Sequence, residues 1–115
     1  MIGVDLVKIE RIKKALERHG DAFAKRFLNE DEIKNSNHIS SMAAKWAAKE
    51  AVSKALGTGV RNFKLTDMEI LNDELGKPII YFNGQLGNLE KEYEIHLSIS
   101  HCKDYATATA IIFKK

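Results

Sequence analysis

The segment Trp46-Ala47-Ala48-Lys49-Glu50-Ala51-Val52-Ser53-Lys54-Ala55-Leu56-Gly57-Thr58-Gly59 constrains this chain more than any other. It reads as a helix closed by a glycine-flanked turn. At 3.6 residues per turn, Trp46, Glu50 and Lys54 are successive i, i+4 neighbours on one face. Ala44, Ala48, Ala51 and Ala55 fall on the opposite face, where small side chains allow a close backbone approach. The helix thus offers a carboxylate, an ammonium group and the Ser53 hydroxyl, followed directly by Gly57, Thr58 and Gly59. Glycines without a Cβ let a backbone come close to phosphate oxygens, so this equipment suits a metal held against a pyrophosphate. The lysine precedes the glycines, which excludes a Walker-type loop.

The 115 residues predict one domain, spanning 1–115. Ile2, Val4 and Leu6 alternate with Gly3, Asp5 and Val7, a strand with Asp5 on the face opposite Ile2 and Val4. Ile9, Ile12 and Leu16 follow helical spacing up to Gly20, and a second short helix takes Phe23, Phe27 and Leu28. Asn29-Glu30-Asp31-Glu32 has the form of a capping box. Residues 34–40 read as loop, with Ser40 or Ser41 capping the long helix and Gly57 in a positive-φ position after its end. Strands are predicted over 68–71, 78–82, 95–99 and 105–113, with 72–77 as a hairpin loop, a turn at Asn83-Gly84 and a short helix over 85–92. Helices in the first half and mainly antiparallel strands in the second make the chain α+β.

Charge excludes some roles. Eighteen basic and 16 acidic residues leave a net charge of +2, which does not point to nucleic acid. The distribution is uneven: residues 8–26 hold seven basic and three acidic groups, whereas 66–76 hold four acidic groups and no basic one. The basic segment, with Arg11, Lys14, Arg18 and Arg26, is suited to an acidic protein surface. The single Cys102 rules out an internal disulfide framework, and no apolar run approaches the ~20 residues of a membrane span. The start of the chain lacks the regions of a secretory signal, so a cytoplasmic location is expected.

Three groups of residues have chemistry to offer. Asp5 and Glu50 are the best metal pair, since Mg²⁺ takes oxygen ligands and is commonly held by one or two carboxylates plus substrate phosphates. Asp5 is the more telling of the two, because a carboxylate in an apolar strand is costly unless it is paired or metal-bound. Lys54 through Gly59 is the second group. Ser98-Ile99-Ser100-His101-Cys102-Lys103 is the third, with hydroxyls, an imidazole and an ammonium that suit a phosphate. No nucleophile-elbow pattern surrounds either serine, and His96, His101 and Cys102 have poor spacing for zinc.

In this order and spacing, Ile2-Gly3-Val4-Asp5, Ala48-Lys49-Glu50-Ala51 with Ser53 through Gly59, Gly76-Lys77-Pro78 and Ser98-Ile99-Ser100-His101 resemble the holo-acyl-carrier-protein synthase family. The resemblance covers nearly the whole chain. It implies a 4'-phosphopantetheinyl transferase fold, a long helix and shorter helices on a mainly antiparallel sheet. It implies transfer of the 4'-phosphopantetheine arm of coenzyme A to a serine of apo-acyl carrier protein in fatty-acid synthesis, with Mg²⁺ required and homotrimers whose active sites lie between subunits. By position it implies Asp5 and Glu50 as metal ligands, Glu50 and Lys54 as catalytic groups, and Lys45, Lys49, Lys54, Gly57, Thr58, Gly59, Lys77, Pro78, Ser98, Ser100 and His101 around the coenzyme. Arg11, Lys14, Arg18 and Arg26 fall in the part that resembles the carrier-protein docking surface. The base for the serine stays open between Glu50 acting through water and a hydroxide held by the metal. The chain departs from the family pattern with Lys45 for Arg, Trp46 for Phe and Cys102 for Thr. Two other readings, a non-catalytic coenzyme A module and a purely structural interaction domain, would not need both Asp5 and Glu50.

Overall fold

The structure is a computed structural model, and it describes residues 1–57 and 62–115. Strand β1 (Ile2–Lys8) leads directly into helix α1 (Ile9–His19), followed by α2 (Asp21–Phe27), α3 (Glu30–Lys34) and the long α4 (Ile39–Leu56). A hairpin of β2 (Met68–Asn72) and β3 (Pro78–Phe82) follows. After it come a 3-10 turn at Gly84–Leu86, the one-turn α5 (Leu89–Glu92), and strands β4 (Tyr93–His101) and β5 (Tyr105–Lys114). All strand pairing among the described residues is antiparallel. One sheet has the order β1-β5-β4, and β2-β3 forms a second. The chain is α+β, as its sequence predicts.

Helix α4 lies across β1, β5 and β4. The reason is the size of the side chains on both surfaces. The helix presents Ala43, Ala47, Ala48, Ala51 and Ala55, and the sheet answers with Ala106, Ala108 and Ala110 of β5, all buried. Gly3 of β1 completes this floor. A Cβ there would run into the Ala51 carbonyl oxygen and stand 2.6 Å from the Ala55 nitrogen, so no larger residue fits without moving the strand. Ala44, on the same alanine face by spacing, is only half-buried. Larger side chains, among them Ile12, Val52, Leu56, Met68, Ile70, Leu86 and Ile112, fill the space around this contact.

Close packing inverts the usual sense of β1. Gly3, Asp5 and Val7 face the helix, whereas Ile2, Val4 and Leu6 are 69%, 58% and 65% exposed. Phe113 and Tyr105 of β5 are also exposed, so the sheet turns an apolar face outward.

Several boundaries differ from expectation. Helix α4 begins at Ile39 with His38 as its N-cap, and no side chain caps it. The amides of Ser41 and Met42 bond to the His38 carbonyl instead of to Ser40 or Ser41 hydroxyls. The expected loop 34–40 is thereby shortened to the stretch between Lys34 and Ile39. The expected helix over 85–92 is divided into the 3-10 turn and α5. Gly57 does cap α4, at φ 59°, its amide donating to the Ser53 and Lys54 carbonyls. The capping box at Asn29 is present, the Asn29 amide donating to Glu32 Oε1 at 2.9 Å.

Candidate active site

The tight contact between β1 and α4 determines which polar groups meet. Asp5 lies on the helix-facing side of β1, opposite Ala108 of β5. Lys54 reaches from the last turn of α4 and donates to Asp5 Oδ1 at 2.9 Å and to the Val4 carbonyl at 3.1 Å. Glu50, one turn earlier on α4, is half-buried. Burial holds its carboxyl above the ordinary carboxylate range, and the charge of Asp5 pushes it the same way, with Lys54 and Arg11 opposing. Asp5 and Glu50, distant in the chain, therefore share one site with Lys54.

This site has spare capacity. Asp5 Oδ2 is buried and meets no hydrogen-bond partner among the described residues. A carboxylate oxygen in that position is costly unless something binds it. Two neighbouring carboxylates with an unused oxygen fit a hard divalent cation. Among the described residues no third His, Cys, Asp or Glu joins them, so the donors suit an ion that takes the rest of its ligands from water and phosphate rather than a closed cage.

A second group of the expected residues lines a cleft of about 390 Å³ between α4, the β2-β3 hairpin and β4. Lys45, Pro78, Ser98 and His101 are in its wall with Gly76 of the same motif as Pro78, joined by Asn35, Ser41 and Asn72, which the motifs did not single out. Lys77 and Ser100 are exposed and stand outside this lining. Thr58 and Gly59 lie outside the described residues. The carboxylate pair does not line this cleft: on one chain the two sites are separate places.

Lys49 is a correction. Expected at the coenzyme, its side chain is wholly buried, and its ammonium donates to Glu32 Oε1 at 2.7 Å and to the Phe27 carbonyl. Spacing explains it: Lys49 is one residue from Glu50, so it points about 100° away around the helix. Glu32 Oε2 accepts from the Ile70 amide at 2.9 Å, so this carboxylate ties α3, α4 and β2 together. Lys45 is half committed to the same network. Its ammonium donates to Ser36 Oγ at 2.6 Å and to the Glu32 carbonyl at 3.2 Å, although its chain borders the cleft. Burial holds both lysines below the usual lysine range, with Glu32 opposing. The one sequence signal for Glu32 was its capping box, which accounts for a single one of its bonds.

The basic residues of the N-terminal segment are exposed, as expected. Arg11, Lys14 and Arg18 line an open groove along α1 with Glu10 and His19. Arg26 of α2 borders a neighbouring groove with Arg11, Phe23 and Trp46. No helix among the described residues is long and apolar enough to cross a membrane.

The same architecture recurs in known proteins. Residues 1–110 match the family model described as the 4'-phosphopantetheinyl transferase superfamily. The chain is 46% identical to the holo-[acyl-carrier-protein] synthase of Fusobacterium nucleatum, over 96% of each chain. It is 49% identical to that of Clostridium tetani, over 96% of this chain and 93% of the relative. Its structure resembles the Helicobacter pylori holo-[acyl-carrier-protein] synthase solved with coenzyme A, at a TM-score of 0.88 and 33% identity, covering 98% and 100% of the two chains. A Bacillus anthracis synthase in complex with CoA (3',5'-ADP) matches at a TM-score of 0.78 and 37% identity, covering 98% and 94%. The chain belongs to the 4'-phosphopantetheinyl transferase superfamily, among the holo-[acyl-carrier-protein] synthases.

Proposed function

We propose that residues 1–115 act as one transferase domain that moves 4'-phosphopantetheine from coenzyme A to a serine of apo-acyl carrier protein, in the service of fatty-acid synthesis. The observation that carries this reading is the bond of Lys54 to Asp5 one turn from Glu50, with Asp5 Oδ2 unpartnered among the described residues. The serine oxygen bonds to the β-phosphorus of coenzyme A, the bond from that phosphorus to the bridging oxygen breaks, and adenosine 3',5'-bisphosphate leaves. Such transfers depend mainly on positioning and on stabilising charge. Asp5 and Glu50 would hold Mg²⁺, which supplies positive charge against the pyrophosphate when bound. Lys54, exposed at the rim, neutralises charge on the departing phosphate. Glu50 receives the serine proton through a water. Lys45, Pro78, Ser98 and His101 hold the nucleotide end, with Lys77 and Ser100 flanking it; Gly57, Thr58 and Gly59 remain assigned to the coenzyme by the family resemblance alone. Arg11, Lys14, Arg18 and Arg26 receive the acidic carrier protein.

The working form is a homotrimer. The outward apolar face of Ile2, Val4, Leu6 and Phe113 is suited to burial against another copy. A neighbouring copy could also bring its cleft to the carboxylates that a single chain keeps apart from its own. The free, exposed Cys102 is compatible with a reducing cytoplasm.

Mass spectrometry of apo-carrier protein incubated with this protein, coenzyme A and Mg²⁺ tests the reading. A gain of about 340 Da, lost when Mg²⁺ is chelated or in Glu50→Gln, is expected. An unchanged carrier mass with folded protein overturns it.

A further inference from the structure

Trp46 lies one turn before Glu50 on α4 and is half-buried. Two rings hold it from the α2 side: Phe27 edge-on, at 5.2 Å between centroids and 84° between planes, and Phe23 at 6.0 Å. Arg11 comes from α1, with Cζ 5.7 Å from the Trp46 ring centroid. Arg11 is otherwise exposed, in a groove it shares with Trp46, Phe23 and Arg26. The Trp46 ring against which it lies is one turn from Glu50 on α4. One guanidinium therefore stands between an aromatic cluster, an open basic groove and the carboxylate site. A free arginine side chain samples many rotamers, and holding it in one of them has an entropic cost. A tryptophan face offsets that cost more than the smaller phenylalanine face does.

We propose that Trp46 is a positioning residue for the docking of an acidic protein partner: its ring, locked by Phe23 and Phe27, holds the Arg11 guanidinium at the border between the basic groove and the Asp5–Glu50 site. The proposal rests on the transferase reading above. Trp46 is not in the wall of the cleft that takes the coenzyme in this reading, and its contact toward the basic groove is Arg11, so its influence passes through Arg11. A ring that merely filled space would act on stability alone.

The test is a cycle of Trp46→Leu in wild-type and Arg11→Gln backgrounds, with KM measured separately for carrier protein and for coenzyme A. In the wild-type background, Trp46→Leu is expected to raise KM for carrier protein about two- to five-fold, at the scale of an exposed cation–π contact. KM for coenzyme A and kcat stay as they were. Trp46→Phe, which keeps a smaller π face and folds readily in this aromatic cluster, gives an intermediate KM. In Arg11→Gln neither substitution adds a further change. The proposal is overturned if the tryptophan substitutions act equally with and without Arg11, if both KM values rise together, or if the carrier KM does not move. Failure of the wild-type protein to modify the carrier strikes at the transferase reading instead and takes the proposal with it, so the two failures are told apart by the wild-type assay.

Discussion

Helix α4 carries two lysine–carboxylate pairs of nearly equal length with different consequences. Lys49 and Glu32 meet at 2.7 Å with neither side chain exposed. Lys54 and Asp5 meet at 2.9 Å with side chains 55% and 12% exposed. The inner pair is closed: Glu32 also accepts from the Asn29 and Ile70 amides, and Lys49 donates to the Phe27 carbonyl. Both Glu32 oxygens are occupied and the Lys49 ammonium makes two bonds away from solvent, so the pair holds three segments in place and offers no open surface to a ligand. The outer pair is open. Among the described residues Asp5 retains an unpartnered oxygen, Glu50 adds a second carboxyl one turn from Lys54, and the Lys54 side chain is more than half exposed. Completeness of hydrogen bonding, more than charge or distance, separates a structural ion pair from a chemical one.

Substitutions should divide the two pairs cleanly. Lys49→Met leaves Glu32 buried without its cation, and such a break costs about 3–5 kcal/mol of stability. Urea unfolding measures it, and a loss under about 1 kcal/mol would contradict the structural role. Next in size is Gly3→Ala, whose Cβ meets the Ala51 backbone; overpacking of this kind costs about 1–3 kcal/mol. It should also reduce activity by moving Asp5 away from Glu50, so an active, fully stable Gly3→Ala protein would show that the close β1–α4 contact is dispensable. Lys54→Met should cost less stability than Lys49→Met, because the Lys54 side chain is more than half exposed and water can approach the carboxylate it leaves, while transfer falls sharply. A large loss of stability there would erase the distinction between the pairs.

The smallest effect is one of pH. The Glu50 carboxyl is raised in the folded protein above the ordinary 4.5, so the folded state binds more protons than the unfolded chain over the window between the two values. Its contribution is most favourable below that window and is lost as pH rises through the folded value. Glu50→Gln should remove this slope, and thermal melts across the mildly acidic range compare the two proteins. Mg²⁺ should raise the wild-type midpoint at neutral pH by mass action and leave Glu50→Gln unmoved. Equal shifts in both proteins would place the ion elsewhere.

Local patterns carried much of this far. Glycine after a periodic run marked the ends of α1 and α4, the alternation of β4 and β5 was plain, and the Asn29 capping box formed as read. Those features depend on residues a few positions apart, and the backbone obeys them wherever the segment lies. The i, i+4 row of Trp46, Glu50 and Lys54 was legible for the same reason. Lys49 was misplaced because a motif gives its spacing but not the direction in which each side chain finds its partner. Ser40 and Ser41 were plausible caps by type, yet the helix began earlier, and Ser41 became part of the cleft wall.

The sequence by itself determined the elements, the α+β layout and the candidate acids, because short-range sterics and hydrogen bonding act within a few residues. Only the tertiary structure decided that Asp5 faces inward, that Lys54 bonds to it one turn from Glu50, and that Glu32 takes Lys49 out of reach. These outcomes depend on the closeness of β1 to α4, which Gly3 and the facing alanines permit through the absence of bulk. Which groups such closeness brings together is a property of two surfaces at once.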